Sequence, residues 1–245
     1  MNFYSVIIGT ELLNGRRNDA HFSFLNNELL KRGWEQKASF VIKDEPSFIE
    51  DIFKLIQKDP DAIMFCFGGI GSTPDDYTRV CAANVFTGGE MEQNKVALQC
   101  IIEQFHEEAY PHRVNMANLP INAGLLTNVV NNVPGFSLEE RYFFTPGFPS
   151  MSQSMVIEAL DKYYPKNKEK YRYFLKADCS ENDLIDIMKQ MPTEIDFSSL
   201  PQIKDGKRSV VISVGSYEES KAKKYFSLFE DLLNKKSIKF SLEDK

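Results

Sequence analysis

Gly68-Gly69-Ile70-Gly71-Ser72-Thr73-Pro74-Asp75-Asp76 is the stretch whose reading decides the fold. It follows Ala62-Ile63-Met64-Phe65-Cys66-Phe67, a continuous apolar run that reads as a strand buried on both faces. Gly68, Gly69 and Gly71 allow backbone conformations and close approaches that a Cβ would block, so main-chain N–H groups there can face a phosphate or carboxylate. Thr73 then reads as an N-cap, Pro74 as the first helical residue and Asp76 as the acidic third position, predicting a helix from 76 to 84. A strand–glycine loop–helix order is where an open parallel sheet holds its ligands. A strand-to-helix turn that binds nothing explains the same residues, and this stretch alone does not choose between the two.

Outward from that loop, short apolar runs alternate with amphipathic stretches. The pattern predicts a strand over 3–8, a helix over 19–31 with Phe22, Leu25, Leu29 and Leu30 at helical spacing, and a strand over 38–42. A helix over 47–57 follows Pro46. This βαβαβ order favours a parallel sheet covered by helices on both faces. Further on, helices are predicted over 91–108 and 150–163 and a strand over 141–145, with a loop around Pro111, Pro120 and Gly124. The polar segment 164–170 reads as a linker, which divides the chain into an α/β domain over 1–165 and a small α+β domain over 170–245. In the latter, 171–175 and 209–214 read as strands, and 181–190 and 218–233 as helices. The expected fold class is therefore a three-layer, open, mostly parallel α/β sheet with helices on both faces, plus a small C-terminal α+β domain.

Composition excludes several classes. No apolar run approaches the ~20 residues that cross a bilayer, and Met1 to Ile8 reads as the first strand, without a basic leader or cleavage site. Cys66, Cys81, Cys100 and Cys179 lack metal-ligand spacing and are expected as reduced thiols in the cytosol. Residues 1–160 hold 12 Lys and Arg against 20 Asp and Glu, which argues against a nucleic-acid surface. His21, His106 and His112 have no zinc spacing and are expected to be structural or on the surface, His21 excepted for its place near the pocket.

A second glycine-flanked turn, Gly9-Thr10-Glu11-Leu12-Leu13-Asn14-Gly15, leaves the same sheet edge as the first, and Lys43-Asp44-Glu45-Pro46 makes a third. Glu11, Asp44 and Asp76 are thus expected to converge, and carboxylates beside phosphate-binding backbone can hold a divalent metal or orient a water. For each acid taken separately, the alternative is a cap or a solvated loop charge. Arg16 and Arg17 read equally as phosphate contacts or as a solvated pair.

These motifs resemble the molybdopterin-binding domain shared by MoaB, Mog and gephyrin, and most closely its form in the N-terminal part of competence/damage-inducible protein A (CinA). The resemblance is carried by Gly9 to Gly15, Gly68 to Thr78, Asn128 to Phe136 and Thr145 to Met151, in that order, and spans nearly all of residues 1–160. It implies a pocket for a phosphorylated pterin or an ADP-containing nucleotide. Asp44 and Asp76 match the family's functional aspartates and are the implied catalytic and metal-holding residues. Gly9, Thr10, Glu11, Gly15, Asp19, Gly68, Gly69, Gly71, Ser72, Thr73, Asp75, Pro146 and Gly147 are the implied ligand-binding set.

The implied chemistry is hydrolysis of a pyrophosphate bond of the ADP-ribose type, with Mg²⁺, Mn²⁺ or Co²⁺ and with K⁺ as a candidate companion. The alternatives are molybdopterin adenylylation or carriage in molybdenum-cofactor synthesis, and binding without catalysis. A homo-oligomer is an ordinary expectation of the fold. CinA-type proteins often carry a further amidohydrolase domain acting on nicotinamide mononucleotide, which these 245 residues do not reach, so deamidase activity is not expected. The sequence departs from the family pattern at Phe67 (usually Thr), Ser72 (Pro), His21 (Asn), Asn131 (Gly, tolerable in a left-handed conformation) and Met151 (Glu).

Overall fold

The computed structural model describes residues 1–204 and 206–243, and the chain divides into two units, Met1–Asn167 and Lys168–Lys245. The first opens with β1 (Asn2–Ile8), α1 (Thr10–Leu13), α2 (His21–Lys31), β2 (Gln36–Ile42), α3 (Pro46–Gln57), β3 (Ala62–Phe67) and α4 (Thr78–Phe86). It continues with β4 (Met91–Gln93), α5 (Lys95–Phe105), β5 (Asn118–Pro120), β6 (Gly124–Leu126), β7 (Gly135–Leu138), β8 (Tyr142–Thr145) and α6 (Pro149–Tyr163). Short 3-10 turns at His106–Ala109 and Arg113–Ala117 join α5 to β5.

The main sheet has the order β2-β1-β3-β8-β7-β6. β1 runs parallel to β2 and β3, and β3 parallel to β8, while β7 and β6 add on antiparallel. Alternation along each strand sends side chains to two cores. Tyr4, Val6, Ile8, Met64 and Cys66 pack with Ile49, Phe53, Ala82 and Ile101 from α3, α4 and α5. Phe3, Ile7, Ile63, Phe65 and Phe67 pack on the other face with Leu25, Leu29, Met155, Val156 and Leu160 from α2 and α6. The result is the expected three-layer architecture.

Several local expectations are corrected. Helix α4 starts at Thr78 and not at Asp76, because the Asp76 carboxylate turns back to accept from the Thr73 N–H and hydroxyl, closing a separate turn before the helix. The predicted helix over 91–108 begins with a strand: Met91–Gln93 pairs with Asn118–Pro120, and Asn94 caps α5 by accepting from the N–H groups of Val96 and Ala97. Phe22 and Leu30 are exposed, so the buried stripe of α2 is narrower than its apolar spacing indicated. Strand β7 was not foreseen.

The second unit contains β9 (Tyr171–Ala177), α7 (Ile185–Met188), β10 (Asp196–Lys204), β11 (Lys207–Ser216), α8 (Glu219–Lys235) and β12 (Phe240–Glu243). Its antiparallel sheet, β10-β11-β9-β12, buries Leu175, Val210, Ile212 and Val214 with Phe226, Phe229 and Leu233 of α8. The stretch 181–190 is a 3-10 turn followed by one helical turn, where one longer helix was expected.

Candidate functional site

Strands β1, β2, β3 and β8 are parallel, so the loops that follow them leave one sheet edge. β1 lies between β2 and β3, which makes that edge a point where the direction of chain progression reverses and a crevice can form. The chain packs tightly there. A Cβ on Gly68, whose φ is +100°, would sit 2.5 Å from the Ile8 carbonyl oxygen, and one on Gly147 would sit 3.4 Å from the Gly68 Cα. The loops after β1, β3 and β8 therefore touch through backbone.

The glycine loop is held from behind by the first two residues of α4. The Thr78 hydroxyl donates to the Gly68 carbonyl at 2.9 Å and the Thr78 N–H to the Gly69 carbonyl at 3.0 Å. The Arg79 guanidinium donates to the Ile70 carbonyl and, at 2.6 Å, to the Gly71 carbonyl. In a trans peptide the carbonyl and the following N–H point in opposite directions. Turning carbonyls 68 to 71 toward α4 thus turns the N–H groups of Gly69, Ile70, Gly71 and Ser72 away from it. None of these four donors meets an acceptor among the described residues, and all four residues line one cavity.

That cavity has a volume of about 360 Å³. The glycine loop, Asp76 and the amides of Asn128 and Asn131 supply its polar side, while Phe105, Met116, Phe148 and Met151 supply its apolar side. Asn131 is not the left-handed residue of its loop; Asn132 is, at φ +59°. The Asn131 side-chain oxygen instead accepts from the Val133 N–H and the Asn128 amide, tying the loop together.

Of the predicted site residues, Gly69, Gly71, Ser72, Thr73, Asp76, Pro146 and Gly147 meet in this cavity. Gly68 packs against β1, and Asp75 is exposed. The others lie elsewhere. The Asp44 carboxylate accepts from both the N–H and the hydroxyl of Thr10, each at 2.8 Å, and so joins the loops after β2 and β1. Gly9 leads into α1, and Gly15, at φ +77°, closes it. Asp19 accepts from the N–H groups of His21 and Phe22 and starts α2. Glu11 and Asp19 line a narrow cleft with Arg17, His21 and Gly147. Glu11 and Asp76 thus line different cavities, and Asp44 lines neither of the two.

That cleft shares Gly147 with the main cavity. Arg17 Nη2 and His21 Nε2 both approach the Gly147 carbonyl, at 3.2 and 3.3 Å. A carbonyl partner requires the proton on Nε2, which leaves Nδ1 to accept from the Ser152 hydroxyl at 3.4 Å. Burial depresses the His21 pKa, against the opposing pull of the Gly147 bond. Its ring stacks on Phe67 with centroids 4.4 Å apart, so two of the departures from the family pattern pack against each other.

Metal-holding capacity is limited. Among the described residues no three His, Cys, Asp or Glu side chains come together as a cage. Asp76 Oδ2 takes both Thr73 bonds, whereas Oδ1 accepts from no described residue. One carboxylate with ligand phosphates fits a Mg²⁺-type ion, which seldom uses an all-protein site. Arg79, Thr78, Phe105, Met116 and Phe148 are the site residues that sequence reasoning missed. Thr78 and Phe148 stood within quoted motifs, and Arg79, Phe105 and Met116 carry no local signal.

Comparison with known proteins agrees with this architecture. A family model described as a probable molybdopterin binding domain matches residues 5–166. A CinA-like protein of Leptospira biflexa is 28% identical over 76% of this chain and 50% of its own length. One from Amoebophilus asiaticus is 26% identical over 88% of this chain and 56% of its own. The chain therefore spans about half the length of these CinA-like relatives. The solved structure of protein CinA from Thermoplasma acidophilum, 25% identical, superposes with a TM-score of 0.59 over 66% of this chain and 98% of that one. Among the described residues, no helix is long and apolar enough to cross a membrane.

Proposed function

The chain belongs to the molybdopterin-binding domain family, and from that membership and the cavity at its glycine loop we propose that the first unit binds a phosphorylated pterin or an ADP-containing nucleotide. The observation that carries this reading is the run of four backbone N–H groups, Gly69 to Ser72, that meet no acceptor among the described residues and line a cavity also lined by apolar side chains. Preorganised N–H groups suit a phosphate, and the wall of Phe105, Met116 and Phe148 suits a flat heterocycle.

Hydrolysis of the ligand's pyrophosphate bond is the second reading, favoured by the placement of Asp76 beside Gly71 in the same cavity. A divalent ion held there by Asp76 and the ligand phosphates would, when bound, neutralise phosphate charge. The chain's own contribution is then the N–H row, which stabilises charge developing on the phosphoryl oxygens. Adenylylation or carriage of molybdopterin would use the same groups.

Thermal shift tests the binding proposal. A phosphorylated pterin or ADP-ribose at 100 times its dissociation constant should stabilise the protein by about 2.7 kcal/mol. No shift with either ligand class would overturn it. Release of AMP from ADP-ribose with Mg²⁺, Mn²⁺ or Co²⁺ and K⁺, lost in Asp76→Ala, would establish the hydrolase. Unchanged turnover in that variant would remove Asp76 from the mechanism.

A further inference from the structure

A second cavity, of about 390 Å³, adjoins the first and shares Ser72 and Thr73 with it. Its other wall is Glu108, Tyr110, His112 and Arg113, from the segment between α5 and β5. The chemistry of that wall is one-sided. Arg113 Nη1 donates to the Glu108 carboxylate at 2.8 Å and to the Glu108 carbonyl at 2.9 Å, so the single acid of the cavity is already paired, and its side chain is 78% exposed. The guanidinium lies over the Phe105 ring, 4.3 Å from its centroid. Phe105 is itself a wall of the first cavity. The cation is thus held in place, yet only Nη1 of its nitrogens meets an acceptor among the described residues. The His112 ring and the hydroxyls of Tyr110 and Ser72 likewise make no side-chain hydrogen bond among the described residues. A cation, an imidazole, two hydroxyls and an aromatic ring therefore border one cavity, with their bonding capacity largely unspent.

We propose that this cavity is a subsite for a phosphorylated sugar, and that the ligand of the first unit is bipartite. Its ring occupies the first cavity, the first of its two linking phosphates lies against the N–H row ending at Ser72, and the second, which carries the far sugar, reaches Arg113 and His112, with Tyr110 against that sugar. This deepens the binding reading above and rests on it. Donor-rich groups beside a preorganised guanidinium recognise phosphate through charge-assisted bonds, and Ser72 and Thr73, common to both cavities, mark the place where the two halves of the ligand join.

The test compares ADP-ribose with AMP by calorimetry, in EDTA to prevent turnover, on the parent, on Arg113→Ala and on the double variant Tyr110→Ala/His112→Ala. The parent should bind ADP-ribose about tenfold or more tighter than AMP, the worth of one charge-assisted bond. Both variants should lose most of that advantage while their affinity for AMP stays within about twofold of the parent. The double variant, whose replaced side chains make no hydrogen bond among the described residues, should melt as the parent does, separating a binding effect from a folding one. Equal affinity of the parent for the two ligands, or an advantage that survives both variants, would overturn the subsite and leave the first cavity's role standing. Failure of the parent to bind either nucleotide, together with no thermal shift from a pterin, would bring down both readings.

Discussion

Replacing Arg79 by methionine is the most informative perturbation, because it keeps the length and apolar stem of a buried side chain and removes only its donors. Arg79 is 9% exposed, and burial depresses its pKa without removing its charge. Its guanidinium holds the carbonyls of Ile70 and Gly71. Hydrogen bonds from a charged donor contribute about 1.5–3 kcal/mol each. The two carbonyls lie in a partly exposed loop and regain water, so the combined loss should be about 2–3 kcal/mol. For a chain of this size that corresponds to roughly 5–10 °C in Tm.

Affinity should suffer as well. With carbonyls 70 and 71 released, the N–H groups of Gly71 and Ser72 are no longer held toward the cavity, and phosphate affinity should fall about tenfold or more. Trp34, the chain's single tryptophan, lies in the first unit and reports its unfolding by fluorescence in urea. Arg79→Lys, which keeps one charge but lacks the fork, should fall between parent and Arg79→Met in both measurements. An Arg79→Met protein with the parent's urea midpoint and ADP-ribose affinity would refute the argument that this side chain sets the orientation of the loop peptides.

Two further outcomes follow from the same structure. Asp44→Ala leaves the Thr10 N–H and hydroxyl without their acceptor. It should cost about 1–2 kcal/mol of stability while ligand affinity changes little; abolished affinity at unchanged stability would place Asp44 in the binding site instead. For His21, burial holds the folded pKa below the ordinary 6.5. The unfolded chain then binds a proton that the folded chain does not, so stability falls as pH drops below 6.5 and levels off once the folded value is passed. His21→Asn should remove that component, narrowing the difference between Trp34-monitored urea midpoints at about pH 7.5 and about pH 5.5; an undiminished difference would mean that His21 titrates in the folded protein as it does in the unfolded chain.

Much of the first unit was legible from local pattern. Strands β1, β2 and β3 and helices α2, α3 and α6 were placed within a few residues, because burial on two faces or one writes itself into the spacing of apolar side chains. The elements missed are those whose sequence carries little of that signal. β10 contains Ser198, Ser199 and Pro201 and exposes Leu200 and Ile203; it is a sheet edge defined by its ladder with β11. Met91–Gln93 has only three residues and forms a strand through pairing with a segment more than twenty residues away. Helix α4 was placed early because Thr73-Pro74-Asp75-Asp76 has good helix-start chemistry, yet the Asp76 carboxylate spends that chemistry on Thr73.

The residues alone determined the α/β class, the βαβαβ order of the first three strands, and the position of the glycine loop at the end of a buried strand, since each depends on periodicity or backbone permissiveness over a few neighbouring residues. Only the tertiary structure decided which groups meet. Asp44 and Asp76 leave the same sheet edge, but the loops after β3 and β8 and the segment 128–134 enclose the cavity, and Asp44 is bound to Thr10 away from it. Arg79 is one cation on a short helix until the loop folds back over it and its guanidinium takes hold of two carbonyls. Convergence of this kind follows from the lateral order of strands in the sheet and from contacts of a few ångströms between segments remote in sequence, and neither is encoded in any single stretch of chain.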